Sequence, residues 1–144
     1  MKVTIYTDST IKGPAETDGW CAAVVEYEGG RSRTAFSQIR GTTQKANLMC
    51  LKGALRLINV KADEFLIYTT STYVAKGLTS LDEWNANDWK KADGKELKYA
   101  PHWAAVFEHI RNKEVVVSTE PHSYSKWMKS EMERRADGQQ KKIH

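Results

Sequence analysis

Asp8 is the residue in this chain best placed to do chemistry, because it closes the run IYTDST at residues 5–10, a β-branched and aromatic stretch of strand character followed by a polar cluster. A carboxylate at the carboxyl end of a strand stands where α/β sheets collect ligands. The six letters recur as IYTTST at residues 67–72, changed only where Thr70 replaces Asp8. Two similar strand ends, one charged and one neutral, are therefore expected side by side.

Asn47 adds a second polar group to that neighbourhood. Residues 44–59 read as a helix with Thr42 or Thr43 as N-cap and a polar stripe of Lys45, Lys52, Arg56 and Asn59. At about 100° per residue, Asn47 shares the opposite face with Leu51, Ala54 and Ile58, so its amide points inward from the first turn. Such an amide either caps a neighbouring backbone group or serves a site.

These residues need a scaffold, and the rest of the chain supplies one. Strands are predicted over residues 2–7, 20–28 and 33–39, the last two joined by a turn at Glu28, Gly29 and Gly30, giving an antiparallel meander. Residues 64–69 (EFLIYT) are almost continuously apolar, as for a strand buried on both faces and paired in parallel through a helical crossover. Two short helices follow, over 73–78, ended by Gly77, and over 81–89. A basic turn spans 90–95, a helix 101–111, a fifth strand 114–118 and a charged helix 125–137, before a solvated basic tail, GQQKKIH. His122, alone in a loop, reads as solvated.

With 144 residues the chain fits one domain, residues 1–144 with the tail from about 138. No apolar run approaches the roughly 20 residues that cross a bilayer, and no signal-peptide pattern opens the chain, so a soluble cytoplasmic protein is expected. Cys21 and Cys50 form no CxxC pattern, which argues against zinc and predicts two packed thiols in a reducing compartment. The net charge of +4, from 22 basic and 18 acidic residues, permits a nucleic-acid partner without demanding one.

The order β-β-β-α-β-α-α-β-α, with Asp8 ending the first strand, resembles the type 1 ribonuclease H family. Five stretches carry the resemblance: IYTDST, RGTTQKANL from Arg40, IYTTSTYVAKGLT from Ile67, WKKADGKELK from Trp89 and ERRAD from Glu133. The resemblance implies an α/β fold, a mixed five-stranded sheet in the order 3-2-1-4-5 with helices on both faces. It also implies cleavage of the RNA strand of RNA/DNA hybrids by four carboxylates holding two Mg²⁺ or Mn²⁺ ions. Ions about 3.5 to 4 Å apart need several anionic oxygens between them.

By position, Asp8 and Asp137 match the family's first and last carboxylates. Asn47 stands where the family has its helix glutamate, and Thr70 where it has its second strand aspartate, so two of four charges are gone. The stretch from His122 to Asp137 is about five residues longer than the family pattern, which leaves Glu131 and Glu133 as substitute ligands if the register slips. His122 itself matches a loop histidine that assists product release.

Arg40 and Thr42 match the family's DNA-phosphate pocket, with Tyr99 in place of its usual asparagine. Thr43 and Gln44 match the polar pair that meets 2′-hydroxyls in the minor groove. Lys90, Lys91, Lys95 and Lys98, with Trp84 and Trp89, resemble the protrusion that grips the DNA strand, although core packing equally accounts for the tryptophans. Asn85 and Ala86 replace a dilysine there, and Asp82, Glu83 and Asp88 add negative charge, so weaker, salt-sensitive binding is implied.

The sequence thus predicts a monomeric ribonuclease H-like domain that binds hybrid or other duplex nucleic acid with little or no hydrolysis. Two alternatives remain open. One is a slow Mg²⁺- or Mn²⁺-dependent ribonuclease with substitute ligands, and the other a protein-interaction module whose nucleic-acid face is also lost.

Overall fold

The computed structural model describes residues 1–143, with side chains through residue 138. Its centre is a five-stranded sheet in the order β3-β2-β1-β4-β5. Strands β1 (Lys2–Ser9), β2 (Thr17–Tyr27) and β3 (Ser32–Gly41) form the expected antiparallel meander. Helix α1 (Thr43–Leu57) then crosses over to β4 (Glu64–Tyr68), which runs parallel to β1. Helices α2 (Thr72–Ala86) and α3 (Ala100–Ile110) precede β5 (Glu114–Ser118), parallel to β4, and α4 (Ser125–Ile143) closes the described chain. The mixed sheet and its order agree with the sequence-based expectation.

Alternation sorts β1 into two faces. Val3 and Ile5 join α1 and α3 in the main core, around the fully buried Trp103, while Tyr6 joins Ala22, Val24, Met128 and Met132 beneath α4. Asp8 follows Tyr6 in the same alternation and lies within β1, one residue before its end.

Four expectations are corrected. Residues 72–86 form one helix through Gly77, not two helices broken there. The glycine is needed because the indole of Trp103 packs against the helix, and a Cβ at residue 77 would overlap that ring. Strand β4 is fully buried on one face only: Phe65 and Ile67 are buried, whereas Leu66 and Tyr68 are partly exposed, since α4 lies over β1 and β2.

The cysteines are not separate thiols. Cys21 and Cys50 are joined as a disulfide, with Cα atoms 5.6 Å apart, because α1 lays its second turn against the middle of β2. Cysteine usage therefore no longer argues for a reducing compartment. Finally, α4 does not stop at Asp137 but runs to Ile143, and solvation of the tail's side chains falls outside the described residues. Among the described residues, no helix is long and apolar enough to cross a membrane.

Candidate active site and nucleic-acid interface

The repeated hexapeptide is in register across two strands. Ile5 pairs with Ile67 and Tyr6 with Tyr68, so the next matched positions, Asp8 near the end of β1 and Thr70 just past β4, come side by side. The Thr70 hydroxyl donates to Asp8 Oδ1 at 3.2 Å. The same oxygen accepts the Ser9 N–H at 2.8 Å, and Lys12 Nζ stands 4.0 Å away. A hydroxyl thus occupies one face of the carboxylate, and an ammonium supplies the nearest positive charge.

Asn47 faces inward as its spacing requires and is 4% exposed. Its Nδ2 donates to the Thr43 carbonyl at 2.8 Å, which is the backbone-capping alternative, and lies 3.3 Å from Thr43 Oγ1. That bond orients the amide, and its Oδ1 is left buried without a hydrogen-bond partner. An orphaned acceptor of this kind costs roughly 1–3 kcal/mol and suits a water or a single cation.

Asp137 lies in α4, about one turn past the helix midpoint, on a groove of about 1000 Å³ whose walls include Thr10, Trp20, Gln38, Arg40 and, one turn earlier, Glu133. Glu131 instead takes Arg134 Nη2 at 2.7 Å. Among the described residues, no three His, Cys, Asp or Glu side chains gather closely enough to share a metal ion. Asp8 and Thr70 are brought into contact, Asn47 is buried near the start of α1, and Asp137 with Glu133 lines the groove beside Arg40.

Arg40 is not a free cation: its Nη1 stands 3.2 Å from Asp18 Oδ2, its cross-strand neighbour between β2 and β3. Thr42 caps α1 by accepting the Lys45 N–H at 3.2 Å, and its Oγ1 lies 3.4 Å from Tyr99 Oη. Tyr99 sits in the left-handed region, φ 61°, immediately before α3, and Lys98 Nζ lies 5.1 Å from its ring centre. Thr43, Gln44 and Lys98 line a smaller cleft of about 360 Å³ with Gly13 and Pro14.

In the basic protrusion, Lys90, Lys91, Lys95 and Lys98 are all exposed. A bridge between Lys90 and Glu96 and the Lys91 N–H bond to the Lys95 carbonyl at 2.8 Å fold it into a short hairpin. The tryptophans are turned to the core. Trp84 packs edge-on against Trp103 at 5.3 Å and Trp89 against Phe107 at 5.7 Å.

His122 corrects the expectation of a solvated side chain. Its ring lies 4.7 Å from Tyr6 and 5.4 Å from Tyr68, and those two tyrosines stack on one another at 5.0 Å. Nδ1 accepts the Tyr124 N–H at 3.1 Å, which places the neutral ring's proton on Nε2. Burial pushes its pKa down, opposed in part by the negative charge of Asp8.

Sequence reasoning missed the anchor beneath this stack. Glu26 accepts hydrogen bonds from Tyr6 at 2.9 Å and Tyr124 at 2.6 Å. Burial, followed by the Glu26 bond, pushes the Tyr6 phenol up to about 12. The tyrosine repeated in IYTDST and IYTTST was the available signal, since two aromatic residues in register on adjacent strands form a platform.

The RNase H family model matches residues 1–123. A protein named Ribonuclease H from Cupriavidus metallidurans is 38% identical over 75% of this chain and 74% of its own length. Another of that name, from Syntrophomonas wolfei, is 27% identical over 88% of both chains. Among solved structures, a type 1 RNase H with the type 2 active-site motif superposes with TM-score 0.68 at 22% identity, over 96% of this chain and 73% of that one. The N-terminal RNase H domain of a Mycobacterium tuberculosis protein gives 0.67 at 16% identity over 99% of both.

Proposed function

We propose, from the premise that this chain belongs to the RNase H family, that it is a domain for binding RNA/DNA hybrids whose hydrolytic activity is strongly impaired. The observation that carries the reading is the Thr70 hydroxyl bonded to Asp8 where the family's pattern has a second strand carboxylate. With the amide of Asn47 in place of the helix glutamate, one carboxylate remains at the paired strand ends. A pair of divalent cations does not fit this donor set, because neutral oxygens do not offset the repulsion between two nearby dications. The unpartnered Asn47 Oδ1 is compatible at most with a water or one weakly held Mg²⁺ or Mn²⁺.

Binding is supported by Arg40, by Thr42 with Tyr99 within hydrogen-bond reach, and by the exposed lysines of the protrusion. The Asp18 partner of Arg40 and the inward-turned tryptophans support weak, salt-dependent binding. A slow metal-dependent ribonuclease is the second reading, favoured by Glu133 and Asp137 facing one groove. Incubating a labelled RNA/DNA hybrid with the protein in Mg²⁺ and in Mn²⁺, beside an anisotropy titration of the same hybrid, separates the two. The proposed function requires binding without cleavage; cleavage in either metal that is lost in Asp8→Asn would establish the second reading instead.

A further inference from the structure

The outer face of α1 and α3 carries a cluster of positive charge that the site above does not use. Lys52 Nζ stands 3.1 Å from His102 Nδ1, so an ammonium meets a neutral imidazole rather than a carboxylate. His102 has its pKa lowered, first by burial and then by Lys52, Lys45 and Arg56, and His109 by burial and Arg56. Among the described residues, ion pairs join the Met1 amino group to Asp63, Lys12 to Asp8, Arg40 to Asp18, Arg111 to Glu108 and Arg134 to Glu131, but none involves Lys45, Lys52 or Arg56. Like charges left adjacent on a protein surface favour a polyanion that can neutralise them together.

We propose that this face is a second contact for a nucleic-acid phosphate backbone, outside the groove beside Arg40. The proposal rests on the reading of the domain as a nucleic-acid binder, and it extends the path of the strand. Lys45 donates its N–H to Thr42 Oγ1, so the face begins where the Arg40, Thr42 and Tyr99 pocket ends. From Lys45 to Arg56 the helix rises about 16 Å, the length of roughly five phosphates of one strand. Gly53 lies on the same exposed side with nothing within 4 Å of a Cβ built there. No packing reason in the protein explains a helix-weakening residue at that point, and its bare backbone permits close approach by a strand.

The test is a set of anisotropy titrations of a labelled RNA/DNA hybrid across salt concentrations, using the parent, Lys52→Gln/Arg56→Gln and Lys90→Gln/Lys91→Gln, with folding checked by circular dichroism. The face variant is expected to bind more weakly and to lower the logarithmic salt slope by about two, one per lost phosphate contact, while Lys52→Arg keeps the parent's slope. The His102 pKa, followed by NMR, should rise when hybrid is added, because phosphate offsets Lys45, Lys52 and Arg56 on the facing helix; Tyr99, at 6.4 Å, is its aromatic neighbour. A face variant that matches the parent while the protrusion variant loses slope would overturn this proposal and leave the hybrid-binding function standing. The reverse pattern would uphold the face and count against the protrusion, and no binding by the parent would overturn both. Poly-glutamate displacing the hybrid at equal charge concentration would overturn nucleic acid as the partner.

Discussion

The hydroxyl of Thr70 donates to the carboxylate of Asp8 across 3.2 Å, at the ends of two parallel strands that carry nearly the same six residues. A neutral donor in this position removes the mutual repulsion that two carboxylates would exert, and with it the attraction for a dication. Restoring the charge tests this. Asn47→Glu with Thr70→Asp is expected to gain Mg²⁺ affinity by calorimetry and to be less stable than the parent in the absence of metal. At Mg²⁺ a hundredfold above its Kd, about 2.7 kcal/mol should return, because the ion binds the folded state. A double variant with no gain in affinity would show that the geometry of the site, and not only its charge, is lost.

Asp18 holds Arg40 in an ion pair, with which a phosphate of the proposed hybrid partner has to compete. Because both side chains are exposed, the ion pair is worth at most about 1 kcal/mol. Asp18→Asn should tighten hybrid binding by no more than about fivefold, whereas Arg40→Ala should weaken it and lower the salt slope by about one. Equal slopes for Arg40→Ala and the parent would remove Arg40 from the interface.

The glycines of the helices should respond in opposite directions. Gly77→Ala pushes a methyl into the Trp103 ring and is expected to destabilise the fold by about 1–3 kcal/mol in urea titration. Gly53→Ala meets open space and should stabilise it by up to about 1 kcal/mol.

Protonation of His122 breaks the bond that Nδ1 accepts from Tyr124 and charges a half-buried ring. Its folded-state pKa lies below the ordinary value of 6.5, as do those of His102 and His109. The unfolded chain therefore binds more protons, and stability is full above about pH 6.5 and falls as pH drops through the lowered values. The urea midpoint should decline from pH 7.5 to 5, and less steeply in His122→Phe, which keeps an aromatic ring without the titration. An unchanged slope in that variant would place the titration on the other histidines.

Much of this arrangement was legible in the chain. The IYTDST and IYTTST repeat set the register of β1 and β4, because matching letters mark matching positions on paired strands. The helical period turned Asn47 inward, and the family resemblance carried by five stretches of the chain implied the sheet order. Period and pattern report which side of an element faces the interior, but they do not report what meets it there. Gly77 reads as a helix end until Trp103 is seen packed against it, and Cys21 and Cys50, distant in sequence, become partners only when α1 lies on β2. His122 reads as a solvated loop residue until the tyrosines of two strands form the platform beneath it. Asp18 is an ordinary exposed acid until β2 and β3 pair and place it beside Arg40. Each of these was decided by contacts between elements far apart in sequence, where packing, pairing and burial act and local propensity carries no information.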